Sequence, residues 1–139
     1  MNTTHKLHIF DMDGTILDSM PMWATIASDY LDSYDIPHDD DVNKLIEAYT
    51  LENAAKYFIE LGLDKAIDDI IKDIYDFSFN KYKNEIPAKP DMAEFLKKLH
   101  ETGETIILLS ASPVQCAVAA FKRLNILEYF DKLFSCQDF

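Results

Sequence analysis

Two aspartates one residue apart, Asp11 and Asp13, end a short apolar run and are followed at once by Gly14 and Thr15, in the stretch KLHIFDMDGT. The run (Leu7, Ile9 and Phe10, interrupted by His8) is too short for a helix and is predicted as a buried strand. The acidic pair then lies where strand gives way to loop, the place at which α/β folds put their chemistry. On extended backbone, side chains at i and i+2 point the same way, about 6–7 Å apart at a rise of roughly 3.3 Å per residue. Carboxylates so placed repel, so the pair asks for a cation or for one carboxyl to be a proton donor. One carboxylate can attack phosphorus and form an aspartyl-phosphate, while a second protonates the leaving oxygen and later deprotonates water. A Mg2+ ion would offset the repulsion and bind a phosphate oxygen. Gly14 allows close backbone approach, and the N–H groups of Gly14 and Thr15 can hold phosphate oxygens.

A second candidate site is Leu109-Ser110-Ala111-Ser112, which closes the apolar run Thr105-Ile-Ile-Leu-Leu-Ser110. Such a run predicts a strand buried on both faces, as in parallel sheets covered by helices. Ser112-Pro113-Val114-Gln115 has the form of an N-cap serine, an N1 proline and a capping-box glutamine. The hydroxyl of Ser110, with the free backbone N–H groups that follow from Ala111, would make an anion site.

The elements that must position these groups follow from periodicity. Trp23, Ile26, Ala27, Tyr30, Leu31 and Tyr34 fall on one helical face after Pro21, and Ile36-Pro37 breaks it. Val42, Leu45, Ile46 and Tyr49 mark a second helix behind Asp39-Asp40-Asp41, and Thr50 caps a third that Gly62 closes. A fourth carries Ile67, Ile70, Ile71, Ile74 and Phe77 inward. Pro87-Ala88-Lys89-Pro90 is a linker, Asp91 and Glu94 form a capping box, and Gly103 stops the helix between them. After the second strand comes a helix with Val114, Ala117, Val118, Phe121 and Leu124 on its buried face, then a third strand at Lys132–Ser135. The pattern is an α/β core over 1–17 and 87–139, with a four-helix cap inserted over 18–86.

Composition narrows the partners. A formal charge of −12 argues against nucleic acid, which needs a basic face, and obliges any phosphate ligand to be captured locally. Two cysteines, Cys116 and Cys136, make no disulfide framework, and Cys116 is expected as a small buried hydrophobe. The start MNTTHK shows no signal peptide and no stretch suits a membrane span, so a cytoplasmic protein is expected. His5, His8, His38 and His100 have no metal-ligand spacing. Met20, Met22 and Trp23 are expected mainly as core of the cap, with substrate contact as the alternative.

DMDGTILDS resembles motif I of the haloacid dehalogenase superfamily, D-x-D-G-T-[LIV]-x-D-S, at every specified place, and LLSAS resembles motif II. The helical insert is similar to the four-helix cap of the subfamily that includes phosphoglycolate phosphatases and β-phosphoglucomutases. The ending KLFSCQDF is similar to the family's third strand and following loop. The resemblance implies a parallel Rossmann-like sheet, incomplete here at three strands, with strand 1 at an edge of the order 3-2-1. It implies Asp11 as nucleophile, Asp13 as general acid/base, Ser110 as phosphate ligand, and Mg2+ held by the Asp11 side chain and the Asp13 backbone carbonyl. It further implies a phosphatase acting on a small phosphorylated metabolite, or a phosphomutase, with the cap hinged near 16–18 and 86–90. The family's motif III lysine and motif IV acidic pair would lie beyond Phe139. A truncated chain, inactive or self-associating through the edge of strand 1, is therefore expected as the alternative.

Overall fold

The computed structural model describes residues 5–138; the first four residues of MNTTHK and the final Phe139 lie outside the described residues. The order is β1 (Leu7–Phe10), α1 (Met20–Ser33), α2 (Val42–Ile46), α3 (Leu51–Glu60), α4 (Ile67–Asn84), α5 (Met92–Glu101), β2 (Thr105–Ser110), α6 (Val114–Arg123) and β3 (Lys132–Ser135). The strands form one parallel sheet in the order β1-β2-β3, with Leu7 opposite Thr105 and Ile107 opposite Lys132. This is the expected α/β architecture, with β1 at an edge.

Burial corrects two expectations about the strands. Ile106 and Leu108 are sealed, yet Leu109 is 40% exposed, and Leu7 and Ile9 of β1 are 56% and 61% exposed. Register puts Leu7, Ile9, Ile107 and Leu109 on one face of the sheet. Helices α5 and α6 direct their buried residues (Leu96; Ala117, Ala120 and Phe121) inward, and Phe95 of α5 meets Phe10 edge-on on the opposite face. Among the described residues nothing covers the Leu7–Leu109 face. Neither β1 nor β2 is buried on both sides.

The chain divides into two compact units, one running to Met20 and resuming at Lys81, the other Pro21–Asn80. The divisions fall inside α1 and α4 rather than at the linkers near residues 17 and 86, so Ser19 and Tyr82 belong to the α/β unit. The helical unit has its own core of Ala27, Tyr30, Leu31, Val42, Ala54, Ala55, Phe58, Leu63 and Ile70. Thr50 caps α3 as its sequence predicts, its Oγ1 accepting the Asn53 N–H at 3.1 Å. Asp91 does not cap α5. Its backbone is left-handed (φ 66°) and its side chain makes no cap bond, because an N-cap side chain reaches back from extended backbone.

Candidate active site

The loop after β1 is built on a buried methionine. The strand ends at Phe10, and Met12 is fully buried with its carbonyl accepting the N–H groups of Thr15 (3.3 Å), Ile16 (3.0 Å) and Leu17 (3.0 Å). Gly14 turns with φ +77° and donates its N–H to the Leu17 carbonyl at 2.9 Å. Ile16 and Leu17 are fully buried and anchor the far side of the turn. Asp11 and Asp13 therefore lie just beyond the strand, where the chain enters this turn. The Gly14 and Thr15 N–H groups close this turn and are engaged within it, rather than presented to a ligand.

The two carboxylates have different surroundings. Asp11 is exposed, and its Oδ1 accepts the Met12 N–H at 2.8 Å. Asp13 is half-buried and receives three hydroxyls. Ser19 Oγ donates to Oδ1 at 2.6 Å, Tyr82 donates to the same oxygen, and Ser112 Oγ donates to Oδ2 at 2.8 Å. The Tyr82 and Ser112 hydroxyls are 3.5 Å apart. Ser19 and Tyr82 are fully buried.

Backbone pairing brings these groups together. Asp18 donates its N–H to Pro87 O (2.9 Å) and Lys89 to Ile16 O (2.8 Å), around an antiparallel bridge between Leu17 and Ala88. The two linkers thus run side by side, and the end of α4 carrying Tyr82 meets the Asp13 turn. Arg123 of α6 fastens that end, donating from Nε to Lys83 O at 2.9 Å and from its guanidinium to the carbonyls of Tyr82 and Ile86.

Ser110 is buried at the end of β2, and its Oγ accepts the Ser112 N–H at 3.1 Å. No hydrogen bond among the described residues joins it to Asp11 or Asp13. Ala111 is exposed, its carbonyl accepting from Gln137 Nε2 at 3.3 Å. Ser112 is not the N-cap its sequence predicts: α6 starts at Val114 without a side-chain cap bond, and the Ser112 hydroxyl is given to Asp13 instead. Sequence patterning missed Ser19, Tyr82 and Ser112 as partners of Asp13. A signal existed for Tyr82, which lies one turn after the buried Ser78 on α4; a buried tyrosine needs a partner for its hydroxyl.

Burial, and secondarily the charge of Asp13, pushes the Cys116 thiol up to about 11, in keeping with an inert core residue. No group of three or more His, Cys, Asp or Glu side chains is gathered among the described residues. In the helical unit a separate cavity of about 300 Å³ is lined by Trp23, Tyr30, Ile46, Tyr49, Phe58 and Ile74 among others. Met20 and Trp23, expected mainly as core, are 54% and 36% exposed. No helix among the described residues is long and apolar enough to cross a membrane.

Residues 8–139 match the family model described as haloacid dehalogenase-like hydrolase. The chain is similar to a phosphorylated carbohydrates phosphatase of Thermotoga maritima, 22% identical over 124 residues, covering 88% of this chain and 57% of the relative. It is also similar to a phosphoglycolate phosphatase of Vibrio vulnificus, 26% identical over 139 residues, covering 90% of this chain and 58% of the relative. Among solved structures, the crystal structure of a provisionally named beta-phosphoglucomutase from Thermotoga maritima superposes with a TM-score of 0.81 at 20% identity, covering 96% of this chain and 62% of that one. The chain thus spans less than two thirds of the length of these relatives.

Proposed function

Since the chain belongs to the haloacid dehalogenase-like hydrolases, we propose that it serves a Mg2+-dependent phosphatase that hydrolyses a small phosphomonoester through an aspartyl-phosphate on Asp11. The observation that carries this is the asymmetry of the pair: Asp11 is exposed with one oxygen bonded to its neighbour's N–H, while Asp13 is held by three hydroxyls. One carboxylate is open to a substrate and the other is fixed in orientation, which suits a nucleophile beside an acid/base group.

In the proposed reaction, Asp11 Oδ2 forms a bond to phosphorus as the bond from phosphorus to the alcohol oxygen breaks. Asp13 gives its proton to the departing oxygen. A water then attacks the aspartyl-phosphate and passes a proton to Asp13, and Asp11 leaves as carboxylate with release of inorganic phosphate. The buried Ser110 at the end of β2 would hold a phosphate oxygen, next to the exposed backbone at Ala111. Mg2+, when bound, would neutralise charge between Asp11 and the transferring group. The Asp11 carboxylate and the Asp13 carbonyl would hold it, since both Asp13 side-chain oxygens are occupied by hydroxyls. Water and the substrate phosphate would complete the shell, the ordinary way Mg2+ is held.

A second reading, return of the phosphoryl group to a sugar, draws on the similarity to a provisionally named beta-phosphoglucomutase. Discharge of the phosphorylated protein separates the two, since a phosphatase loses its label to water alone and a mutase loses it faster with a sugar phosphate present. The primary test is Mg2+-dependent hydrolysis of p-nitrophenyl phosphate, abolished in Asp11→Asn. Removing a covalent nucleophile from hydrolases costs on the order of 10⁶ in kcat, so a fall of at least about 10³-fold is expected. Hydrolysis that persists unchanged in Asp11→Asn would contradict the assignment.

A further inference from the structure

Tyr82 stands 69 residues along the chain from Asp13, yet its ring is fully buried and its hydroxyl donates to Oδ1 of Asp13. Ser112 binds the other oxygen at 2.8 Å, and the two hydroxyls are themselves 3.5 Å apart. Ser19 shares Oδ1 with Tyr82 at 2.6 Å, and a carboxylate gripped on both oxygens cannot turn about its Cα–Cβ bond without breaking one of these bonds. The grip is itself braced, because Arg123 on α6 bonds the carbonyls of Tyr82, Lys83 and Ile86. Helix α6, which begins two residues after Ser112, therefore fixes both arms of the clamp.

We infer that Tyr82 and Ser112 are positioning residues for proton transfer. They clamp the Asp13 carboxyl in one rotamer so that it faces the leaving oxygen of a substrate on Asp11. This deepens the proposed phosphatase chemistry and rests on Asp13 as its acid. A clamp of this kind matters most where the proton matters most. An alkyl phosphate expels a poor leaving group and needs a well-aimed acid, whereas p-nitrophenolate departs without one. Emptying Oδ1 should thus lower kcat/KM for the first substrate and largely spare that for the second, because kcat/KM ends at the aspartyl-phosphate, before the water step that both substrates share, whereas a merely structural role would injure both alike.

Two measurements on the full chain test this. In uniformly ¹³C,¹⁵N-labelled protein, three-bond couplings from backbone nitrogen and carbonyl carbon to the side-chain carboxyl carbon report the χ1 rotamer of each aspartate. Asp13 should show a single rotamer, and rotamer averaging in the double variant Ser19→Ala/Tyr82→Phe, which empties Oδ1, with Asp131 (which accepts the Ile106 N–H at 2.8 Å) unchanged as the control for folding. In kinetics, Ser19→Ala/Tyr82→Phe should lower kcat/KM for a simple alkyl phosphate by about tenfold, a part of the roughly 10²–10⁴-fold that general acid catalysis supplies. The value for p-nitrophenyl phosphate should stay within about twofold. Ser112→Ala, which empties Oδ2 at a partly exposed position, gives the same pair of readouts should the double variant fold poorly. A single unchanged Asp13 rotamer in the variant would overturn the clamp, as would equal loss on both substrates. Asp13→Asn separates the underlying assignment: equal loss of kcat/KM on both substrates there would remove Asp13 as the acid, whatever the rotamers show.

Discussion

The hydroxyl of Tyr82 donates to the carboxylate of Asp13 across 69 residues of sequence, joining the last turns of α4 to the loop after β1. That bond depends on two linkers paired side by side, through Asp18 with Pro87 and Lys89 with Ile16. The acidic motif is thus assembled by the segments on either side of the helical insert.

Gly14 takes a left-handed backbone, φ +77°, immediately after the two aspartates, and a Cβ there would lie 3.3 Å from Met20 Cγ. Left-handed backbone costs a residue bearing a Cβ about 1–2 kcal/mol. Gly14→Ala should lower unfolding stability by that amount, because the flexible Met20 side chain can yield but the dihedral cannot. Urea denaturation followed by circular dichroism checks it, and no change would show that the turn relaxes freely.

Asp73 is the hub of the helical unit's polar network. It accepts from Tyr30 at 2.8 Å, Tyr34 at 3.0 Å and Lys65, and Lys65 also reaches the Tyr34 hydroxyl at 2.9 Å. Burial raises the Asp73 carboxyl, and the bonds from Lys65, Tyr30 and Tyr34 more than reverse this, leaving it below the ordinary value. A lowered carboxyl stabilises the fold above its unfolded value and loses that contribution as pH falls through its folded value. Asp73→Ala should cost about 1–3 kcal/mol, because it strands the buried Tyr30 hydroxyl. The difference from wild type should shrink in acid, and a difference constant with pH would contradict the network.

His38 should make stability depend on pH in the opposite sense. Its Nδ1 faces the Asp39 carbonyl at 3.0 Å and its Nε2 faces Asp32 at 2.7 Å; the backbone contact first and the carboxylate second raise its value. A raised histidine stabilises fully below its unfolded value and loses this as pH climbs through its folded value. The urea midpoint of His38→Gln should therefore approach wild type above neutrality and fall below it in mild acid. Parallel pH profiles for the two proteins would rule out this contribution.

The cysteines should separate by reactivity. Cys116 is buried with its thiol pushed up to about 11, while Cys136 is exposed. Only thiolate is nucleophilic, so iodoacetamide at mildly alkaline pH should label Cys136 and spare Cys116 until the protein is unfolded. Peptide mass spectrometry reads this directly, and early labelling of Cys116 would mean that α6 opens locally.

Much of this fold is written in local patterns. Thr105–Ser110 and Lys132–Ser135 are strands over the residues their apolar runs predict, and the Thr50 cap and the left-handed Gly62 and Gly103 follow from residue type. What stayed illegible depends on partners far along the chain. Ser112 has the form of a cap but bonds Asp13, because that carboxylate arrives from 99 residues away. Asp91 has capping chemistry but a left-handed backbone that aims it elsewhere. Leu109 has the composition of a buried strand, yet burial depends on what covers the sheet, which no residue of the strand specifies. The aspartates themselves were legible as a pair, but the turn over Met12 that gives them different surroundings was not.

In the proposed function, phosphoryl transfer passes through Asp11. It is tested most directly by acid-quenching the protein during incubation with p-nitrophenyl phosphate and Mg2+, then locating phosphoryl groups by peptide mass spectrometry. The expected result is one phosphoryl group on Asp11, absent from Asp11→Asn and accumulating in Asp13→Asn, where the water step lacks its base. Turnover without phosphorylation of Asp11, or phosphorylation at Ser110 instead, would contradict it.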